Sequence, residues 1–219
     1  SGEMILDPCV GQGSFLLETQ RAIDFSDTSF QFHTALFGYD VSESVLLIAA
    51  VRLLLSGAYN FNLKRKSGLH DDYYSGNHPE HFDVVLAHPP VGLRNEGYQG
   101  LAHQHHFPVL TRDAVGMFIQ QSLFSLKTNG RAVIAVPEGF LFGRNNADME
   151  LRRYLVQSGY IEAVVGIPSK FLIENSGIRG ALLLLNKAKN KLLAISMIAE
   201  GSLKNDMTCS LSWSIKDAS

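Results

Sequence analysis

Ile5-Leu6-Asp7-Pro8-Cys9-Val10-Gly11-Gln12-Gly13-Ser14-Phe15-Leu16-Leu17 reads as a short apolar strand, an acid at its end, a turn with two glycines and the apolar start of a helix. Such a strand-to-helix turn lets backbone N–H groups approach a ligand closely, because glycine accepts positive φ and carries no side chain to block the approach. The third glycine of the dinucleotide fingerprint G-x-G-x-x-G is missing, and an acid before the turn sits badly beside a phosphate. Asp7 suits a cationic ligand end instead, such as an amino group or a sulfonium. The plain alternative is a structural corner in which Asp7 caps the turn.

Working outward, strands and helices alternate. Phe15 to Ile23 reads as a helix, and Thr34 to Tyr39 as a second strand that ends in Asp40. Ser42 opens a long helix whose apolar face is read as Val45, Ile48, Ala49, the stem of Arg52, Leu53 and Leu55, with Gly57 as the stop. Phe61 to Leu63 is a weak strand, and His81 to Ala87 a buried one that closes at His88-Pro89-Pro90. Gly92 to Thr111 has no periodicity, the mark of a functional or irregular loop. Ala114 to Leu126 reads as an amphipathic helix ended by Asn129-Gly130, then Arg131 to Val136 as a strand and Asp148 to Gln157 as a helix. Ile161 to Ile167 and Ala181 to Leu185 are further strands, with Leu192 to Ile198 a candidate for one more.

Strands separated by helices imply an α/β fold, doubly wound, with a mostly parallel sheet in a three-layer αβα arrangement. Ligands of such sheets bind at the carboxyl ends of the strands. Those ends carry Asp7, Asp40, the Asp71-Asp72 region and His88, all predicted at one rim. Asp40 is placed to accept two hydrogen bonds from a ribose diol, and Asp72 one from an exocyclic amine.

Composition bounds the partners. The 219 residues are 46% hydrophobic and 18% charged with a net charge of −2, which fits one sizeable globular domain and gives no global pull toward nucleic acid. Basic residues cluster at Lys64-Arg65-Lys66, Arg152-Arg153 and Lys187-Lys189-Lys191, read as solvated faces. Cys9 and Cys209 form no C-x-x-C pair, so neither a disulfide framework nor a zinc site is indicated, and a reducing cytoplasm is the expected setting. His103, His105 and His106, even joined by His88, have no carboxylate or cysteine at ligand spacing, so no metal is expected. No apolar run approaches membrane-spanning length. The first strand starts within a few residues of Ser1, from which the chain is expected to be cut from something longer, with Ser1 a cloning remnant.

Asp-Pro-x-x-Gly-x-Gly-x-Phe at Asp7 to Phe15, followed by Phe82-Asp83-Val84-Val85-Leu86-Ala87 and x-Pro-Pro, resembles the S-adenosylmethionine-dependent DNA adenine-N6 methyltransferases. Leu126 to Gly139, Arg152 to Pro168 and Gly177 to Lys187 resemble, more closely, the modification subunit of type I restriction-modification systems. The resemblance runs from Met4 to Lys187. It implies a Rossmann-like methyltransferase fold, with residues 1–187 as the catalytic-type domain and 188–219 as an extension. It also implies an upstream aromatic-rich segment and helical domain lying outside this chain. Asp7, Pro8, Gly11, Gly13, Ser14 and Phe15 would bind the cofactor with Asp40 and Asp72, and His88, Pro89, Pro90 and Val91 occupy the family's catalytic Asn-Pro-Pro-Phe/Tyr positions. The implied partners are DNA, reached through a specificity subunit, and a restriction subunit, with no membrane.

Two residues depart from the family pattern. His88 replaces the Asn that accepts from the flipped adenine's amine, and Val91 replaces the aromatic on which that base stacks. They separate two readings, an active DNA adenine-N6 methyltransferase and a degenerate module with a binding, assembly or regulatory role. Methylation of RNA or of a protein amide is a third that the same turn permits.

Overall fold

The computed structural model describes residues 2–24, 34–69, 82–94, 107–169, 177–188 and 194–197. Its strands are β1 Met4–Asp7, β2 Ala35–Asp40, β3 Phe61–Arg65, β4 Phe82–Ala87, β5 Leu126–Pro137, β6 Ile161–Ile167, β7 Gly180–Asn186 and β8 Ala194–Met197. Its helices, numbered here in chain order, are α1 Ser14–Asp24, α2 Glu43–Leu55, α3 Ala114–Ser125, α4 Glu138–Phe142 and α5 Asn146–Gln157.

Successive strand side chains point to opposite faces, and here both faces are covered. Ile5 of β1 and Val84 of β4 pack with Leu16 and Ile23 of α1 and Leu46 and Leu53 of α2. Their neighbours Leu6 and Val85 pack on the other side with Ile119 and Leu123 of α3 and Leu151 and Leu155 of α5. That is why these strands read as unbroken apolar runs.

The strands form one eight-stranded sheet in the order β3-β2-β1-β4-β5-β7-β6-β8. Pairing is parallel from β3 through β5, and parallel again between β6 and β8. The mostly parallel αβα arrangement predicted above is thus observed, with one exception. β7 lies between β5 and β6 and runs antiparallel to both. The chain winds outward through β1, β2 and β3, then restarts at β4 on the other side of β1, so the switch point lies between β1 and β4. The carboxyl ends of these two strands therefore open the crevice where doubly wound sheets bind ligands.

The opposite rim is occupied by ion pairs. Asp83 accepts from the Met4 amide at 2.9 Å and from Lys127 Nζ at 2.8 Å, while Arg131 grips Glu3 through two bonds of 2.7 and 3.0 Å. Burial alone would raise the Asp83 carboxyl; the bonds from Lys127 and Met4 outweigh it and lower its pKa.

Local readings need correction in three places. The buried face of α2 is Leu46, Ala49 and Leu53, whereas Ile48 is 44% and Leu55 83% exposed. α2 is apolar almost all round, so its sequence period cannot select a face, and contact with the sheet and α1 does so instead. α3 is buried on nearly every side rather than amphipathic. It ends at Ser125, and Leu126 already pairs with Phe82 in the sheet, so Leu126 to Gly130 is extended with a register shift rather than a helix end.

Candidate functional site

β1 delivers Asp7 to the carboxyl rim, where it is 2% exposed. Its Oδ1 accepts from the Cys9 amide at 3.0 Å. Burial drives the Asp7 carboxyl up to about 7; the Cys9 hydrogen bonds oppose the rise and the nearby Asp40 charge adds to it. An acid held so far from water has most to gain from a cation brought beside it.

The turn that follows is fixed from three directions. The Val10 amide donates to the Tyr39 carbonyl at 2.9 Å, which ties the turn to β2. The Gly11 amide donates to Asp40 Oδ2 at 3.2 Å, and the Ser42 amide to Asp40 Oδ1 at 2.9 Å. Asp40 thus links the turn, the end of β2 and the start of α2, while each carboxylate oxygen keeps a second lone pair. Gly13 has φ +79°, and a Cβ there would sit 3.1 Å from the Ala49 Cβ of α2, so both the backbone and the packing require glycine. The leading amides of α1 have no intrahelical acceptors, as at any helix start.

Two adjoining cavities share Cys9 and His88 in their walls. The smaller, about 330 Å³, is lined by Asp7, Val10, Gly11, Gln12, Ser14 and Phe15. The larger, about 480 Å³, is lined by Pro8, Tyr39, Asp40, the Lys66–Leu69 stretch, Pro90, Leu93, Met117 and Phe118, and Leu69, Met117 and Phe118 pack in one buried apolar cluster. One chamber is therefore polar and turn-built, with a buried acid. The other combines the Asp40 acid with an apolar wall. Together they suit a long ligand with a charged amino-acid end and a flat, diol-bearing end.

β4 ends at His88, with Pro89 buried and Pro90 exposed. Although His88 is exposed, the protein around it desolvates its imidazole and holds its pKa below the usual histidine range, which favours the neutral ring, and a neutral ring offers one nitrogen as acceptor. The segment beyond is held to α3: Ala114 N donates to the Leu93 carbonyl at 3.0 Å, and Asp113 caps the helix by accepting from Val115 N. The Cys9 thiol meets the His88 backbone amide, and burial pushes its pKa up, which makes it an inert wall residue rather than a nucleophile.

Of the residues singled out from the sequence, Asp7, Pro8, Gly11, Ser14, Phe15, Asp40, His88 and Pro90 line this cleft. Gly13 shapes it without lining it, and Pro89 and Val91 line neither cavity. Asp72 and the histidines at 103, 105 and 106 lie outside the described residues. Among the described residues no cluster of His, Cys, Asp and Glu could hold a metal ion, and no helix is long and apolar enough to cross a membrane. Sequence reasoning missed the apolar wall, Leu93, Met117 and Phe118, and the Lys66–Leu69 stretch. Gly68 was the available signal: a Cβ there would fall 1.8 Å from the Pro8 carbonyl oxygen, so the chain after β3 lies directly on the end of β1. Lys66 stands 4.2 Å over the Tyr39 ring, and its amide donates to the Asp40 carbonyl at 2.9 Å.

Known proteins share this fold. The family described as N-6 DNA Methylase matches residues 1–210. Among curated relatives, the Type I restriction enzyme EcoEI methylase subunit of Escherichia coli is 23% identical over 86% of this chain and 39% of its own length. The Type I restriction enzyme MjaVIII methylase subunit of Methanocaldococcus jannaschii is 29% identical over 85% of this chain and 33% of its own. The crystal structure of the type I restriction-modification system methyltransferase subunit from Streptococcus thermophilus superposes with a TM-score of 0.73 at 25% identity, covering 89% of this chain and 42% of that one. The chain thus spans between a third and about two fifths of the length of these relatives.

Proposed function

Because the chain belongs to the N-6 DNA Methylase family, we propose that residues 1–187, with β8 of the following extension added at the edge of their sheet, form the catalytic domain of a DNA adenine-N6 methyltransferase of the type I restriction-modification kind. The methyl donor is S-adenosylmethionine and the acceptor an adenine flipped out of the duplex. The observation that carries the reading is the placement of Asp7 and Asp40 on the two sides of one glycine turn, each opening into one chamber of a cleft whose two chambers share His88 in their wall.

The residues fit this donor. Asp7, buried and short of a counter-charge, pairs with the ammonium of the methionine end, and Ser14 and the leading amides of α1 receive its carboxylate. Asp40 retains lone pairs for the ribose hydroxyls, and the apolar wall of the larger chamber, with Leu93, Met117 and Phe118, takes the adenine ring. Bound S-adenosylmethionine supplies a sulfonium methyl, an electrophile that an amine attacks in line.

On the acceptor side, the neutral His88 ring accepts a hydrogen bond from the N6 amine and draws electron density toward it. Pro89 and Pro90 donate no backbone N–H, so the Pro-Pro segment presents only carbonyl acceptors to an amine. Val91 offers no π face, and the missing stacking removes on the order of 1–3 kcal/mol of base binding. That loss, with Val91 outside both cavities, favours a second reading, a module that binds the donor but turns over slowly or not at all and serves assembly or regulation. The relatives are methylase subunits of type I restriction enzymes, which supports assembly with other subunits; the partners proposed are a specificity subunit for reaching DNA and a restriction subunit.

A methyl-transfer assay on the full-length protein with its specificity subunit, read by nucleoside mass spectrometry, tests this function. N6-methyladenine in the product is the expected result. Its absence, with recovery in His88→Asn/Val91→Phe, replaces the enzyme reading with the degenerate one.

A further inference from the structure

Arg52 lies on α2, about two and a half turns from Glu43, and lines neither chamber. Its Nη1 donates to the Gln12 carbonyl at 2.7 Å and to Ser14 Oγ at 3.2 Å. The Gln12 carbonyl and the Gly13 amide belong to one planar peptide unit. Arg52 holds that unit by its oxygen, and the Val10 carbonyl holds it by its N–H at 2.8 Å. The peptide plane at the centre of the glycine turn is thereby pinned at both ends, with Ala49 of the same helix packed against Gly13. The second bond has a different consequence. A Ser14 hydroxyl that accepts from a guanidinium keeps its own proton free to donate, and Ser14 lines the Asp7 chamber.

We infer that Arg52 is the positioning residue for recognition of the ligand's carboxylate: from behind the turn it sets the Gln12–Gly13 peptide plane and turns the Ser14 hydroxyl into a committed donor. This rests on the reading of the cleft as an S-adenosylmethionine site. The contribution is confined to one end of that ligand. Losing a charge-assisted hydrogen-bond anchor corresponds to about 10- to 100-fold in affinity, and it should fall on ligands that carry the amino-acid carboxylate and spare those that lack it.

The full chain is prepared as wild type, Arg52→Met, which keeps an apolar stem of similar length, and Arg52→Lys. Calorimetry is run with S-adenosylmethionine and with 5′-methylthioadenosine, which has the nucleoside end alone, and amide hydrogen exchange is followed at Gln12 to Phe15 without ligand. Arg52→Met is expected to weaken S-adenosylmethionine by about 10- to 100-fold, leave methylthioadenosine unchanged and speed exchange at the turn, with Arg52→Lys intermediate because its ammonium keeps the charge on a shorter stem. Equal loss of both ligands in Arg52→Met, or no loss of either, overturns the assignment. If the wild type binds no S-adenosylmethionine, the reading of the cleft has failed; exchange then judges Arg52 alone, and equal rates in wild type and Arg52→Met overturn its hold on the turn.

Discussion

Replacing Asp7 by Asn should make the ligand-free protein more stable, and by an amount that depends on pH. The folded protein holds the Asp7 proton up to about pH 7 because burial disfavours its anion, whereas an unfolded chain releases it near ~3.9. Between those values the unfolded state gains from ionisation and the folded state does not, so the Asp7 contribution to wild-type stability falls as pH rises from about 4 to about 7 and is level above that. Three pH units correspond to about 4 kcal/mol above pH 7, about 1–2 kcal/mol at pH 5 and almost nothing below about pH 4. Asn keeps an oxygen at the place of the one that accepts from the Cys9 amide at 3.0 Å and carries no ionisable group, so it escapes this cost. Urea unfolding of wild type and Asp7→Asn at pH 4, 5 and 8 should show the gap opening with pH. A gap that is equal at all three values, or a variant less stable at pH 8, refutes the argument that Asp7 is a desolvated acid. The same substitution should abolish measurable S-adenosylmethionine binding, which makes Asp7 a residue retained for its ligand at a cost in stability.

Three further outcomes follow from the geometry. Affinity for S-adenosylmethionine should rise by up to about tenfold per unit from pH 5 to about 7 and then level off, because Asp7 must lose its proton to pair with an ammonium; calorimetry at four pH values reads this directly, and a flat profile contradicts it. Gly68→Ala, whose Cβ would fall 1.8 Å from the Pro8 carbonyl oxygen, should lose ligand binding and about 1–3 kcal/mol of stability, while Gly139→Ala in α4, with nothing within 4 Å of the new Cβ, should be neutral or slightly stabilising by thermal melt. On α2, Leu53→Ala should cost about 2–5 kcal/mol and Leu55→Gln less than about 0.5 kcal/mol, since Leu53 is 0% and Leu55 83% exposed.

Much of the architecture was legible because β1 and β4 are covered on both faces and so spell apolar runs, and because the Gly11–Gly13 turn must sit between a strand and a helix. The acids at the ends of β1 and β2 were legible for the same reason, since strand ends mark the binding rim. The face of α2 was not. In a helix as apolar as Glu43–Leu55 no period stands out, and the small Ala49 against Gly13 decides the docking. The extended Leu126 to Gly130 also misled, because Asn129-Gly130 is a common helix stop, whereas here Gly130 is closely packed against Phe82 and Leu126 beside the register shift in β5. The apolar wall of the larger chamber had no motif to announce it. Met117 and Phe118 look like any core residues of α3 until the fold places them in the chamber that Asp40 lines. Arg52 was counted for its stem alone, and only the folded chain shows where its guanidinium goes.

The central claim is that the cleft at the ends of β1, β2 and β4 holds S-adenosylmethionine. Titration calorimetry of the full chain with that ligand at pH 7.5 tests it most directly. A saturable isotherm with one site, lost in Asp7→Asn, is the predicted result; the absence of saturable heat, or undiminished binding by Asp7→Asn, contradicts it.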